Sequence, residues 1–414
     1  MRIVVAMSGG VDSSVAAALL VEQGHDVIGL SMQLYPQGDA SAAHFGSCCT
    51  LDDLNDARRV ASLVGFPHYI LNFEPQFQET VIADFVREYA SGRTPLPCAH
   101  CNSDLKFSTL LDRAHGFGAG CVATGHYAQV EHRDNRWLLK RSVDRDKDQS
   151  YFLFSLSQSQ LASAMFPVGS LTKPQVRREA RRLALQVAEK PDSQEICFVP
   201  DGDYASFVAR NAPDVVQAGA IVAESGARLG THGGVHRFTI GQRKGLGVSS
   251  QAPLYVLRID ADSGDVTVGP KSSLDRTTLT ASGVNWVSVD APSAWVPVTA
   301  QIRHRHVEAN AQEVVNQSSQ GRPGRLDMDL IAARGHLSRD TRGPFHDVID
   351  RDVRRPIRGA RQQPLVAGPQ IDTDFLDERA AVVEQQTVRC HRMRADGVVL
   401  RHTDSRTPVT IRGN

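Results

Sequence analysis

The first third of the chain alternates short β-branched apolar runs with longer runs whose apolar residues recur at helical spacing, and this alternation leaves few architectures open. "RIVVAM" is followed by "SSVAAALLVEQG", "HDVIGLSMQL" by "LDDLNDARRVASLVG", and "HYILNF" by "QFQETVIADFVREYASG". "LKFSTLLDRAHGFG" continues as a helix and "CVATGHYAQV" as a strand whose C-terminal end carries Gly125 and His126. Strand, helix, strand in succession predicts an α/β fold, a doubly wound parallel sheet with helices on both faces. The chain has 414 residues, too many for one core, and the pattern predicts a first domain over 1–205. Small β-rich domains follow. In 206–275 "YVLRIDADSGDVTVGP" reads as a hairpin turning at "DADSGD", and 276–414 is expected to form a last, β-barrel-like unit that is atypical after 306.

Lysine plus arginine equals aspartate plus glutamate, 46 each, so any affinity for nucleic acid must come from local patches. No apolar run approaches the roughly 18 residues of a membrane span, and "MRIVVAMSGG" is too short and glycine-rich for a signal peptide. A cytoplasmic protein with no membrane partner is expected. Seven cysteines at irregular positions (48, 49, 98, 101, 121, 197 and 390) suit a reducing compartment, where they pack, bind metal or react.

"AMSGGVDSS" sits at the first strand-to-helix turn, where backbone amides and the helix dipole attract anions. Ala6, Met7, Ser8, Gly9, Gly10, Val11, Asp12 and Ser13 are therefore candidate phosphate-binding residues. Gly9 and Gly10 permit close backbone approach, and Ser8 and Ser13 add hydroxyls. Asp12, being anionic, would act through Mg²⁺ or as a helix cap. The stretch has neither the lysine and spacing of G-x-x-x-x-G-K-[ST] nor G-x-G-x-x-G, which excludes a P-loop NTPase and a Rossmann dehydrogenase. S-G-G-x-D-S resembles the pyrophosphate loop of the ATP pyrophosphatase superfamily, a likeness that implies cleavage of ATP between its α and β phosphates to adenylylate a substrate. Met32 and Gly125, at strand ends, would flank the adenine and ribose; taken alone, Met32 reads as core.

"PLPCAHCNSD" places Cys98 and Cys101 at C-x-x-C spacing, compatible with half a zinc site, a redox pair, or one nucleophile beside a bystander. No second C-x-x-C exists, and adjacent Cys48 and Cys49 chelate poorly; a sulfur-bound iron cluster on Cys98, Cys101 and Cys197 is a further alternative. "GRTPLPCAHCNSDLKF", "KPDSQEICFVP", "GHYA", "DRDKDQSYFL" and "FTIGQRKGLG", in this order with the pyrophosphate loop, resemble the tRNA-specific 2-thiouridylase family over about residues 1–306. The resemblance implies ATP and Mg²⁺ as cofactors, Cys101 as nucleophile, Cys197 as persulfide carrier, and a disulfide between them when sulfur has left. It implies tRNA contacts at Leu96, Pro97, Cys98, His126, Lys147, Asp148, Gln149, Arg303 and Arg305. Leu96 and Cys98 depart from the family's frequent Asn and Asp. The implied partners are tRNAs accepting glutamate, glutamine and lysine, and a sulfur-relay protein or cysteine desulfurase as persulfide donor.

By spacing alone, Arg303 and Arg305 in "QIRHRH" would share one face of a strand, and Arg177, Arg178, Arg181 and Arg182 in "KPQVRREARRLAL" would form a basic patch toward RNA or solvent. After His306 the composition changes: 108 residues hold 17 arginines, no lysine, and only Phe345 and Phe375 as aromatics. The family's last domain is a β-barrel with a "PGQ" turn and a glycine-rich strand. Neither pattern follows His306, so this arginine-biased region is expected to be a divergent or out-of-frame sequence.

Overall fold

The structure is a computed structural model and describes residues 1–35, 50–192, 196–199, 201–213, 217–275, 278–282, 284–290, 296–304, 309–315, 325–330, 398–402 and 408–411. The first domain is built on a five-stranded sheet in the order β3-β2-β1-β4-β7. Its strands are β1 (Arg2–Ala6), β2 (Asp26–Gln33), β3 (His68–Asn72), β4 (Val122–Ala123) and β7 (Ala164–Met165). All four strand pairings are parallel, as the alternation predicts. Alternate residues of β1 supply two separate cores: Val4 and Ala6 pack with Leu30, Phe73, Phe85 and Leu105, whereas Ile3 and Val5 pack with Val15, Leu20, Val60 and Val176. A parallel sheet covered on both faces needs this two-sided burial.

Around the sheet lie α1 (Val11–Glu22), α2 (Leu51–Val64), α3 (Glu74–Phe77) and α4 (Ala83–Ala90), the last two joined by a π-helical turn, Gln78–Ile82. Next come α5 (Pro97–His100), the π-helix Cys101–Thr109, α6 (Leu110–Gly116), α7 (Gln158–Ala162), α8 (Lys173–Arg182) and α9 (Tyr204–Asn211). α2 starts on a capping box, with Thr50 and Asp53 each bonding the other's backbone, and stops at Gly65 in a left-handed conformation. "CVATGHYAQV" is not one strand. β4 ends at Ala123, and β5 (Ala128–Arg133) leaves the sheet to pair with β6 (Arg136–Arg141) through a two-residue turn, Asp134 and Asn135, both at positive φ.

The second sheet runs β10-β11-β8-β9, from β8 (Gly219–Ala223), β9 (Arg228–His232), β10 (Tyr255–Ile259) and β11 (Val266–Gly269). The expected hairpin at "DADSGD" is the β10–β11 pair. The third is antiparallel, β12-β15-β14-β13-β16-β17, from β12 (Thr278–Ser282), β13 (Val296–Gln301), β14 (Ala309–Val315), β15 (Arg325–Leu330), β16 (Val398–His402) and β17 (Pro408–Ile411). Its last four elements lie beyond His306, where composition gave no strand signal.

Arg136 of β6 ties the first domain to the segment before β13, donating to the carbonyls of Trp286 and Val287 at 3.0 and 3.1 Å. Asn285 returns two hydrogen bonds, to the carbonyls of Phe154 and Leu156.

Candidate functional site

In the order β3-β2-β1-β4-β7 the chain reverses direction across the sheet between β1 and β4, so the crevice for a ligand lies beyond their C-terminal ends. Ser8–Ser13 follows β1 and Gly125 follows β4. Gly9 adopts φ +71°, and a Cβ there would lie 2.2 Å from the Asp53 carbonyl oxygen, so glycine alone fits. A Cβ on Gly125 would meet the Ser13 amide nitrogen at 2.5 Å, and the strand end therefore packs backbone to backbone on the start of α1.

The Ser13 hydroxyl accepts from the Ser8 amide, contacts the Ser8 hydroxyl, and donates to the Gly10 carbonyl, each at 3.2 Å, which curls the loop on itself. The first-turn amides of α1 have no intrahelical acceptor and are left for an anion. Ala6, Met7 and Val11 have buried side chains and offer only backbone to the crevice. Met32 is likewise buried in the core beside Leu30 and Phe73.

Asp12 does not cap α1: Gly10 is the N-cap, without a side-chain cap bond. The Asp12 carboxylate instead accepts from the Tyr127 hydroxyl at 2.8 Å and from Lys173 Nζ at 2.8 and 2.9 Å. Burial, then the Asp12 charge and hydrogen bond, push the Tyr127 hydroxyl far above the ordinary phenol range, so it stays a donor. Lys173 Nζ also pairs with Asp192 at 2.7 Å, and the other Asp192 oxygen pairs with Lys147 at 2.7 Å. Burial raises the Asp192 carboxyl, and the hydrogen bonds from Lys147 and Lys173 outweigh it and hold the group below its usual range. Lys190 donates to the Gly9 carbonyl at 3.0 Å and to Asp53 and Asp56 at 2.6 Å. The segment leading to Cys197 is thus fastened twice to the phosphate loop.

Sequence reasoning missed Lys173, Tyr127 and Lys190. Lys173 was legible in one respect: it heads the buried i, i+3, i+7 face of α8 with Val176 and Ala180, where a lysine needs a partner.

Cys101 opens the π-helix, a geometry common at functional sites. Its neighbour Asn102 is buried and donates to the Phe152 carbonyl at 2.9 Å, and Lys106 donates to the Asn102 side chain at 3.0 Å. Directly before Cys101, His100 bridges two carboxylates, Nδ1 to Asp104 at 3.0 Å and Nε2 to Asp84 at 3.2 Å. Cys98 is exposed; Cys101 and Cys197 are partly buried, and both pack against the same core cluster. Cys48 and Cys49 lie outside the described residues.

The expected tRNA-facing residues behave unequally. Pro97 is buried, and Leu96 packs on the Ala99, Tyr151 and Phe154 cluster. Asp148 spends its carboxylate on the amides of Ser142 and Ser150 and the Ser150 hydroxyl. Gln149 grips Tyr127 through its side-chain oxygen and its amide. His126 bonds Thr124 through Nδ1 at 2.7 Å, and burial, then the nearby Lys106 charge, lower it well below the ordinary imidazole range.

Arg303 is not on a strand: β13 stops at Gln301, whose side chain donates to the His304 carbonyl and curls the chain. Arg303 donates to the Ile240 carbonyl at 2.6 Å, and the His304 ring lies 4.5 Å from that of Phe152, tilted by 39°. Arg305 lies outside the described residues. The basic face of α8 is mostly committed internally: Arg177 to the carbonyls of Ala188 and Lys190, Arg181 to Glu189, Arg182 to Glu22 and Glu179.

His68 supports the loop from behind. The Ser31 hydroxyl donates to the Met7 carbonyl at 2.7 Å, so at 2.9 Å it accepts from His68 Nε2, leaving Nδ1 buried without a partner. Burial, then the Arg58 charge, lower the ring to about 4. Because the unfolded chain takes up this proton near pH 6.5 and the folded one near 4, stability falls as pH drops through that window. Acidification from pH 7 to 4.5 should remove about 1–2 kcal/mol at this site, less than full linkage because the ring is only partly buried. Urea midpoints for His68→Gln should show a shallower slope than wild type. An equal slope rules His68 out.

Residues 1–201 match the family described as "tRNA methyl transferase HUP domain", and 205–270 that described as "tRNA methyl transferase PRC-barrel domain". The tRNA-specific 2-thiouridylase MnmA of Geotalea uraniireducens is 51% identical over 309 residues, 74% of this chain and 82% of the relative. That of Geobacter metallireducens is 52% identical over 311 residues, 74% and 84% respectively. The chain belongs to the tRNA-specific 2-thiouridylase family. It is accordingly a tRNA sulfurtransferase with a parallel-sheet nucleotide-binding fold and a PRC-barrel domain. Among solved structures, an NMN synthetase from Francisella tularensis aligns with 17% identity and TM-score 0.31, over 51% of this chain and 76% of its own. No helix among the described residues is long and apolar enough to cross a membrane.

Proposed function

We propose that this thiouridylase binds ATP at Ser8–Ser13 and Gly125, adenylylates the 2-carbonyl of a wobble uridine, and replaces the activated oxygen with sulfur carried on Cys197. The observation that carries this reading is the meeting of the Ser8–Ser13 loop and Gly125 at the β1–β4 reversal, with Asp12 linked through Lys173 to Asp192, five residues before Cys197. The uridine O2 attacks the α-phosphorus and pyrophosphate leaves. An alkoxide-like oxygen is a poor leaving group; as AMP it departs readily.

Sulfur then arrives by one of two routes. The terminal sulfur of a Cys197 persulfide attacks C2, AMP leaves, and the Cys101 thiolate attacks Cys197 Sγ to release the thiocarbonyl. Alternatively, Cys101 attacks Cys197 Sγ first and expels sulfide, which attacks C2. Both routes end in a Cys101–Cys197 disulfide that an external thiol must reduce by two electrons. Mg²⁺ accompanying the polyphosphate would be held by Asp12 and phosphate oxygens. Among the described residues no group of three or more His, Cys, Asp or Glu side chains could hold a metal, and Mg²⁺ often uses one carboxylate plus substrate phosphates.

Cys98, Lys147 and Arg303 would face the RNA around the aromatic cluster of Tyr151, Phe152 and Phe154, with a flipped uridine entering toward Cys101. His126, neutral by its lowered basicity, offers Nε2 to that base. The substrates would be glutamate, glutamine and lysine tRNAs, and a sulfur-relay protein or cysteine desulfurase would load Cys197. Mass spectrometry of nucleosides from these unmodified tRNAs, after incubation with the protein, ATP, Mg²⁺ and a persulfide source, should reveal 2-thiouridine only when ATP is present. Product formed equally without ATP would overturn the adenylylation step.

A further inference from the structure

Four charged side chains form one continuous row, Asp12–Lys173–Asp192–Lys147, with contacts of 2.7–2.9 Å throughout. One end is in the phosphate loop. The other end, Lys147, belongs to the exposed charged turn Arg145–Lys147, with its side chain 41% exposed. Lys173 in the middle is only 9% exposed and has two carboxylates to satisfy, and Asp192 has two ammonium groups. Arg177 stands 3.7 Å from Asp192, and Tyr127 donates to Asp12. No ligand interaction is needed to close the row on itself, so a ligand that takes one end must reorganise the other.

We propose that Lys173 and Asp192 are positioning residues that link the nucleotide loop to the RNA-facing Lys147, so that ATP and tRNA bind cooperatively. The inference rests on the reading of the two binding sites given above. When Lys147 moves onto an RNA phosphate, Asp192 keeps Lys173 as its principal cation and draws it from Asp12. The released Asp12 carboxylate is then ready for the Mg²⁺ that accompanies the polyphosphate. Run in the other direction, Mg²⁺·ATP takes Asp12, Lys173 turns fully to Asp192, and Lys147 is released to RNA. Both ligands favour the same rearranged row, which is what positive coupling requires, and the coupling must be equal in both directions. Direct ion pairs carry it, with no long path to postulate.

The experiment is a binding cycle by calorimetry with α,β-methylene ATP and Mg²⁺, which blocks turnover, in the presence and absence of saturating unmodified tRNA. In wild type the nucleotide dissociation constant should fall by about tenfold with tRNA, and the tRNA constant by the same factor with nucleotide. In Asp192→Asn both ratios should shrink to within about twofold of one. Lys147→Met, at a half-exposed site that tolerates change, should do the same and guards against a folding defect in the first variant. A wild-type ratio near one, or a tenfold ratio surviving in either variant, overturns the linkage. Separate binding of both ligands without coupling would overturn the linkage alone, whereas binding of neither would overturn the site reading with it.

Discussion

Serine in place of Cys101 or Cys197 should lower 2-thiouridine formation from a persulfide donor by at least about a thousandfold, with nucleotide binding retained. The expectation follows from what each sulfur must do. A hydroxyl at position 197 cannot hold a persulfide, and a hydroxyl at position 101 is neither ionised near neutral pH nor able to close a disulfide. Neither substitution disturbs the loop, since Cys101 starts a helix built through Asn102, Phe152 and Ser103 contacts, and Cys197 lies beyond the Lys190 and Asp192 anchors. Cys98→Ser serves as the comparison, because Cys98 is exposed one turn before Cys101 and touches the reaction only through the target base on the reading proposed here. Its loss should be under about tenfold. Thiolation surviving at either Cys101 or Cys197 overturns their assignment, and losses at Cys98 equal to those at Cys101 return a metal or acid–base role to Cys98. Nucleoside mass spectrometry reads the product, and calorimetry reads the nucleotide.

Much of this site was legible because local chemistry and tertiary geometry agree there. Gly9 and Gly10 follow an apolar strand and precede an alanine-rich helix, and a tight, amide-lined turn is the consequence of that order alone. The parallel sheet follows from the same alternation. What could not be read is what long-range contacts decide. Asp12 looked like a cap or a metal ligand because its local role was visible, while its partner Lys173 is 161 residues away. "GHYA" looked like the end of a strand because its apolar residues continue one, yet the close approach of Gly125 to the start of α1 turns the chain out of the sheet at Ala123. Arg303 and Arg305 alternate as on a strand, but β13 stops at Gln301, whose side chain curls the chain before Arg303 is reached. The arginines of α8 read as a patch for RNA because the acids that neutralise them, Glu22 and Glu189, belong to other segments. Composition failed beyond His306 for another reason: pairing partners decide strand formation where β-propensity is weak, and β14 and β15 are held by each other and by β12 and β13.

Asp12→Ala should abolish ATP-dependent AMP release, and Asp12→Asn should separate the two reasons why. Alanine removes the acceptor of the Tyr127 hydroxyl and a partner of the buried Lys173, so it loosens the junction between α1, the Gly125 turn and α8 while deleting the carboxylate. Asparagine keeps the shape and one acceptor for Tyr127, and removes only the charge. A buried ammonium stripped of one of two carboxylates is less well neutralised, yet Asp192 remains 2.7 Å from it, so the fold should survive. If Asp12 acts through its charge on Mg²⁺ and the polyphosphate, asparagine should cost AMP release at least about a hundredfold with a melting temperature within a few degrees of wild type. If Asp12 is only a strut, asparagine should restore most of the activity that alanine removes. Full AMP release from both variants would take the loop out of the mechanism altogether, because no other carboxylate is attached to the first turn of α1.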